Sequence, residues 1–167
     1  MNSALNIFIK NGKNVSSTLA SNTLLTNATE DSFPAYFRNF RLEDMEGEPR
    51  VYAEQAKKMM QMTEKTYDEI VDVFMETKWG TYITWDESTI SSGYDPRTRP
   101  CFKAGMQNTN EVVLTPSYLS TVGKVVITFA KAVINPKTQE VIGVLAVEVS
   151  LEKLEQFMNS IKLGETG

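Results

Sequence analysis

Apolar residues in this chain follow a helical period in its first third and an alternating period after it. In residues 3–30, Leu5, Phe8, Val15, Leu19, Leu24 and Leu25 recur at mostly helical spacing among Asn, Ser and Thr. The spacing predicts one long, thinly apolar helix. Such a helix has little to bury against its own domain, so a second copy of the chain is an expected partner. Asp31-Ser32-Phe33-Pro34 breaks the pattern and offers a cap, Asp31 or Ser32, for a helix starting at Pro34. Gly47-Glu48-Pro49 is a second break. Over 50–66, Tyr52, Ala56, Met59, Met60 and Thr63 share one helical face with charges opposite. Met59, Met60 and Met62 read as adaptable core filling.

From residue 69 the period falls to two. Residues 69–75 alternate, Thr77-Lys78-Trp79-Gly80 signals a hairpin, and 81–85 pair back, with Trp79 and Trp85 as hairpin packing. Residues 86–93 are a polar loop. A short strand over 111–115 ends at Pro116. The two best strands, 124–135 and 140–150, flank the turn Asn135-Pro136-Lys137-Thr138-Gln139. Residues 151–161 form a closing helix with Leu151, Leu154, Phe157, Met158 and Ile161 on one face and Ser150 as its cap. This order gives an α+β fold: an antiparallel sheet with a layer of helices.

Composition narrows the function. The chain has 167 residues, 41% of them hydrophobic, which suits one domain with a core. Its net charge is −4 and it has no basic stripe, which argues against a nucleic-acid partner. One cysteine allows no internal disulfide. With no histidine and one cysteine, a structural zinc site and a histidine-based triad are close to excluded, no nucleophile elbow is visible, and neither an enzyme nor a cofactor is expected. No apolar run approaches the ~18 residues that cross a bilayer.

The densest local signal is Ser92-Gly93-Tyr94-Asp95-Pro96-Arg97-Thr98-Arg99-Pro100-Cys101-Phe102-Lys103-Ala104-Gly105. Pro96 and Pro100 fix φ and hold Asp95 and Arg99 extended. Pro100 opens and Gly105 closes a helix of about one to two turns. Arg99 then stands at the helix mouth, a place for a carboxylate or phosphate. A surface ion pair is the plainer alternative for Arg99. Arg97 reads as structural, pairing with Asp95 or a loop acid.

Tyr-Asp-Pro-Arg-Thr-Arg-Pro with aromatic positions after it resembles the signature of Cache sensor domains, extracytoplasmic ligand-binding modules of bacterial and archaeal receptors. The stretches Gly80-Thr81-Tyr82-Ile83, Val125 to Val133 and Val141 to Leu151 resemble the family's first hairpin, central strand and last strand. The resemblance covers roughly residues 65–167 and is architectural before that. It implies a PAS-like fold, with a dimerising helix over 1–33, a ligand-binding module over 34–163, and over 164–167 the start of a link from the membrane-distal module of a double Cache receptor to the next. It also implies flanking transmembrane helices, a periplasmic or extracellular location, and most often a methyl-accepting chemotaxis protein. A histidine kinase or cyclase receptor, or a module that only dimerises or meets another protein, stays open.

In members that bind amino acids, the resemblance places the pocket at Tyr94, Arg99, Cys101, Phe102, Tyr118 and Glu148. Arg99 would clamp the ligand carboxylate and Glu148 would take its ammonium. Cys101 and Phe102 stand where the family has Trp and Tyr, and Glu148 where it has Asp. These departures leave open a small carboxylate, an amine or a modified amino acid. Read from the residues alone, Glu148 in an apolar strand needs a partner, either a ligand or a protein cation such as Lys103 or Lys131. Cys101 reads as a small packing residue.

Overall fold

The computed structural model describes residues 3–166, with side chains up to residue 161. Its helices are α1 (Ser3–Ala20), α2 (Thr23–Thr26), α3 (Gly47–Thr66), α4 (Pro100–Gln107) and α5 (Leu151–Thr166). Its strands are β1 (Ile70–Thr77), β2 (Tyr82–Thr84), β3 (Val113–Leu114), β4 (Tyr118–Leu119), β5 (Val125–Ile134) and β6 (Val141–Ser150). They form one antiparallel sheet in the order β2-β1-β6-β5-β3, with β4 also paired to β5. The α+β fold expected from the alternation is the fold observed.

The register divides the sheet into two faces. One face carries Val73, Met75, Ile83, Leu145, Val147, Val149, Phe129 and Val133, all buried. Against it pack Phe8 and Leu19 of α1, Leu25 of α2, Ala53, Ala56 and Met60 of α3, and Leu154 and Phe157 of α5. Phe8 touches the rings of Phe129 and Phe157 at centroid distances of 5.8 and 5.7 Å. Gly12 lets α1 lie directly on the sheet, because a Cβ there would sit 2.3 Å from Cζ of Phe129. The opposite face carries Phe74, Val144, Ala146 and Ala130 and is covered by α4 and the loops around it.

Several expectations at the N-terminal end are corrected. The helix over 3–30 ends at Ala20, because Asn22 caps a new turn by accepting from Leu24 N at 2.9 Å. The stripe of Phe8, Val15 and Leu19, expected to face a second copy, packs on the chain's own sheet. No helix starts at Pro34. Ala35 and Phe40 instead pair through their backbones around a 3-10 turn at Tyr36–Arg38, closed by Asn39 in the left-handed region with φ 57°. Ser32 Oγ turns back to accept from Thr29 N. The Gly47-Glu48-Pro49 break is the first turn of α3, where Pro49 loses no hydrogen bond.

Smaller corrections follow from burial. Met62 is 60% exposed rather than core, and Leu151 also faces outward. Trp79 packs on the apolar core as expected, whereas Trp85 is exposed beneath the Lys57 ammonium. Ser150 caps α5 by accepting from Lys153 N at 3.0 Å. The helix runs on through Gly164, where a link was expected to begin. Gly167, the last residue of that expected link, lies outside the described residues, as do Met1 and Asn2.

Candidate functional site

The signature folds as its prolines dictate. Asp95 accepts from Arg97 N at 3.0 Å and so caps a 3-10 turn at Pro96–Thr98. Arg99 follows in an extended conformation as the N-cap of α4, and Pro100 opens that helix. Arg97 does pair with Asp95: Nε donates to Oδ1 at 2.9 Å and Nη2 to Oδ2 at 2.8 Å. Gly105 then lets α4 press onto the sheet, since a Cβ there would lie 2.6 Å from Cγ1 of Val144. This contact holds Cys101 and Phe102 against the strands.

The structure brings all six expected residues to this one face. Tyr94, Cys101 and Phe102 join Tyr36, Phe74 and Tyr82 in one apolar cluster. The Tyr94 ring meets Tyr82 edge-on at 5.4 Å, and Tyr82 lies on Phe74 at 5.3 Å. Tyr118 reaches across from β4. Its hydroxyl donates to Glu148 Oε1 at 2.8 Å and lies 2.6 Å from Thr128 Oγ1, which leaves the threonine to donate to the phenol oxygen. Arg99 is half-buried over the Tyr118 ring, 5.5 Å from its centroid, and donates from Nη2 to Leu119 O at 2.9 Å. One phenol thus carries a guanidinium on its face and a carboxylate at its tip.

Neither lysine serves Glu148: Lys131 donates to Thr109 O at 2.9 Å and Lys103 is exposed. Glu148 is 2% exposed and its Oε2 has no partner. Burial raises its pKa to about 7, against a lowering by the Tyr118 hydrogen bond and by Arg99.

Sequence reasoning missed two further acids on this face. Asp72 lies directly across from Glu148 in the β1–β6 register, and Glu76 stands four residues further along β1. Asp72 is 4% exposed, accepts from Thr84 Oγ1 at 2.7 Å, and leaves Oδ2 without a partner. Glu76 is fully buried, with the Cys101 sulfur 3.3 Å from both its oxygens. A thiol has one proton, so it can donate to only one of them. Burial, and then the charge of Glu148, push Asp72 well above the usual carboxylate range. Burial does the same to Glu76, while the Cys101 hydrogen bond draws it back. Burial and Glu76 also push the Cys101 thiol up, so it is not a reactive thiolate. The signal for these acids was present: charges in step within the otherwise apolar run Ile70-Val71-Asp72-Val73-Phe74-Met75-Glu76.

This architecture has known counterparts. Residues 21–156 match the family described as methyl-accepting chemotaxis protein-like, first PDC sensor domain. The chain belongs to that family. It is 34% identical over 88 residues to methyl-accepting chemotaxis protein McpA of Pseudomonas putida, a match covering 53% of this chain and 14% of that protein. It is also 34% identical over 89 residues to McpB of Bacillus subtilis, covering 53% of this chain and 13% of that one. The matches thus span only about one-seventh of those relatives' length. The fold matches the ligand-binding domain of the Campylobacter jejuni chemoreceptor Tlp3, solved with L-norvaline, at a TM-score of 0.68 and 19% identity over 93% of this chain and 56% of that one. It matches that of Pseudomonas aeruginosa PctC, solved with GABA, at 0.68 and 19% over 95% and 62%. Among the described residues no helix is long and apolar enough to cross a membrane.

Proposed function

We propose that this chain is the extracytoplasmic sensing part of a transmembrane chemotaxis receptor, and that it binds a small molecule bearing both a carboxylate and an amine. The observation that carries the reading is the Arg99–Tyr118–Glu148 arrangement. A zwitterion needs a cation and an anion held apart, and here one phenol spaces them. The fold neighbours solved with norvaline and GABA support the same chemistry at the level of the family. A binding-driven shift of the helices against the sheet would bias the receptor's output. No group of side chains that could hold a metal ion occurs among the described residues, and burial pushes the Cys101 thiol beside Glu76 up, away from the reactive thiolate.

Arg99→Ala tests the clamp. A desolvated Arg–carboxylate pair that loses one partner costs about 2–5 kcal/mol, roughly thirty-fold to several-thousand-fold in affinity. Calorimetric titration with a panel of amino acids, organic acids and amines should give binding by the parent chain and near-loss in Arg99→Ala. Arg99→Lys should recover only part, because the planar fork is gone. Unchanged affinity in Arg99→Ala, with circular dichroism showing a folded chain, would remove the carboxylate from the reading.

A further inference from the structure

We infer, resting on that reading, that the ligand carries a second cationic centre and that Asp72, assisted by Glu76, is its acceptor. A zwitterion with one ammonium needs one acid, and Glu148 suffices. This face holds three, each 4% exposed or less. None of them is in an ion pair among the described residues. The facing cation, Arg99, donates to Leu119 O instead. The groups turned towards the acids are otherwise neutral or acidic: Thr84 from β2, Tyr82, Tyr94, Cys101 from α4, Tyr118 and Thr128, and Glu64 from α3. The fold therefore gathers three acids on one buried wall, with Arg99 as the facing cation but in no ion pair with them among the described residues.

A buried carboxylate without a partner is costly, and native folds seldom keep one without cause. Asp72 Oδ2 and Glu148 Oε2 are both such atoms, and their residues face each other across two adjacent strands. Asp72 therefore offers a second buried acceptor beside that of Glu148. Glu76 lies about 13 Å along β1 from Asp72, from four steps of ~3.3 Å. It is held by a single weak thiol donor, so the acidic wall is longer than one ammonium requires. Cys101 belongs to the same design. Its small side chain places a sulfur against both oxygens of Glu76. The ligand chemistry that fits is an aliphatic chain with ammonium groups at two positions. A basic amino acid and a simple diamine both have it.

The test uses three probes of similar length at pH 7.5, titrated calorimetrically into the chain: L-lysine, L-norleucine, which lacks the second ammonium, and 1,5-diaminopentane, which lacks the carboxylate. Lysine should bind at least tenfold tighter than norleucine. Asp72→Asn should erase most of that advantage and Glu76→Gln part of it, with norleucine affinity falling less than lysine affinity in both. Lysine binding should also release protons, seen as heats that differ between buffers of different ionisation enthalpy, because a bound cation draws down the pKa of acids that burial has raised. Diaminopentane binding as tightly as lysine, and insensitive to Arg99→Ala, would assign the site to diamines and keep the second cation while removing the carboxylate. Equal affinity for lysine and norleucine would overturn the inference and leave the receptor reading intact. So would a lysine affinity indifferent to Asp72→Asn and Glu76→Gln. Failure of all three probes, with near-ultraviolet circular dichroism showing native packing, would overturn it as well.

Discussion

The two faces of the sheet are built from the same strands and differ in almost every physical respect. Towards α1, α3 and α5, successive inward positions are Val73, Met75, Leu145, Val147 and Phe129, an apolar surface that helices seal. One residue out of step, towards α4, Asp72, Glu76, Glu148, Thr84 and Thr128 are set among apolar positions such as Phe74, Val144 and Ala146, all as deeply buried. The first face stabilises the domain by removing apolar area from water. The second works against stability, because its acids lose solvation without gaining an ion pair among the described residues. A domain tolerates such a face only if the other holds the fold. Alternation at period two lets one strand serve both purposes.

The largest effect should come from the sealed face. Phe129 is fully buried and takes the Gly12 backbone and the Phe8 ring against it. Phe129→Ala should cost about 3–5 kcal/mol of folding stability, seen as a lower urea midpoint. The fraction that stays folded should bind with unchanged affinity. A loss of affinity without a loss of stability would mean that the two faces are not separable.

The second test reverses the sign. Glu148 ionises near pH 4.5 when free and at about pH 7 in the fold. Between these values the folded chain holds more protons than the unfolded one, so stability falls as pH rises from about 4.5 to about 7 and is flat above. Glu148→Gln keeps the shape and removes the charge. It should raise unliganded stability by about 1–3 kcal/mol at pH 8 and hardly change it near pH 4.5. Denaturant melts at the two pH values read this directly. Equal effects at both would show that Glu148 finds a counter-ion in the unliganded fold.

How much of this was legible differs between the faces for a physical reason. Strand positions, the turn at Asn135, the cap at Ser150 and the α4 helix opened by Pro100 all follow from local patterns, and local patterns survive folding. The six signature-side residues could be named together only through the family resemblance. Asp72 and Glu76 were missed because strand parity alone does not say which neighbour a strand will have. Their role appears once the register sets Asp72 opposite Glu148. The long N-terminal helix failed for a related reason. Its stripe is too sparse to show what it packs on, and the capped restart at Asn22 is a single hydrogen bond in a run of similar polar residues.

The smallest expected effect concerns the rim of the acidic face, where Asp95 and Arg97 look on paper like an important ion pair. Both side chains are about one-third exposed, 30% and 38%, so solvent screens the attraction and the pair itself contributes little. What Asp95 does locally is cap the turn at Pro96–Thr98 by accepting from Arg97 N. That turn aims the backbone from which Arg99 projects over Tyr118. Arg97→Ala, which keeps the cap and removes the pair, should cost well under 1 kcal/mol in a urea melt. Asp95→Ala removes both and should cost about 1 kcal/mol, within the usual range for a lost cap. Its affinity for a carboxylate ligand should fall more than that of Arg97→Ala, because the clamp is then less well aimed. If the two substitutions weaken binding equally, the ion pair and not the cap sets the position of Arg99, and the exposed rim matters to the buried face more than its solvation suggests.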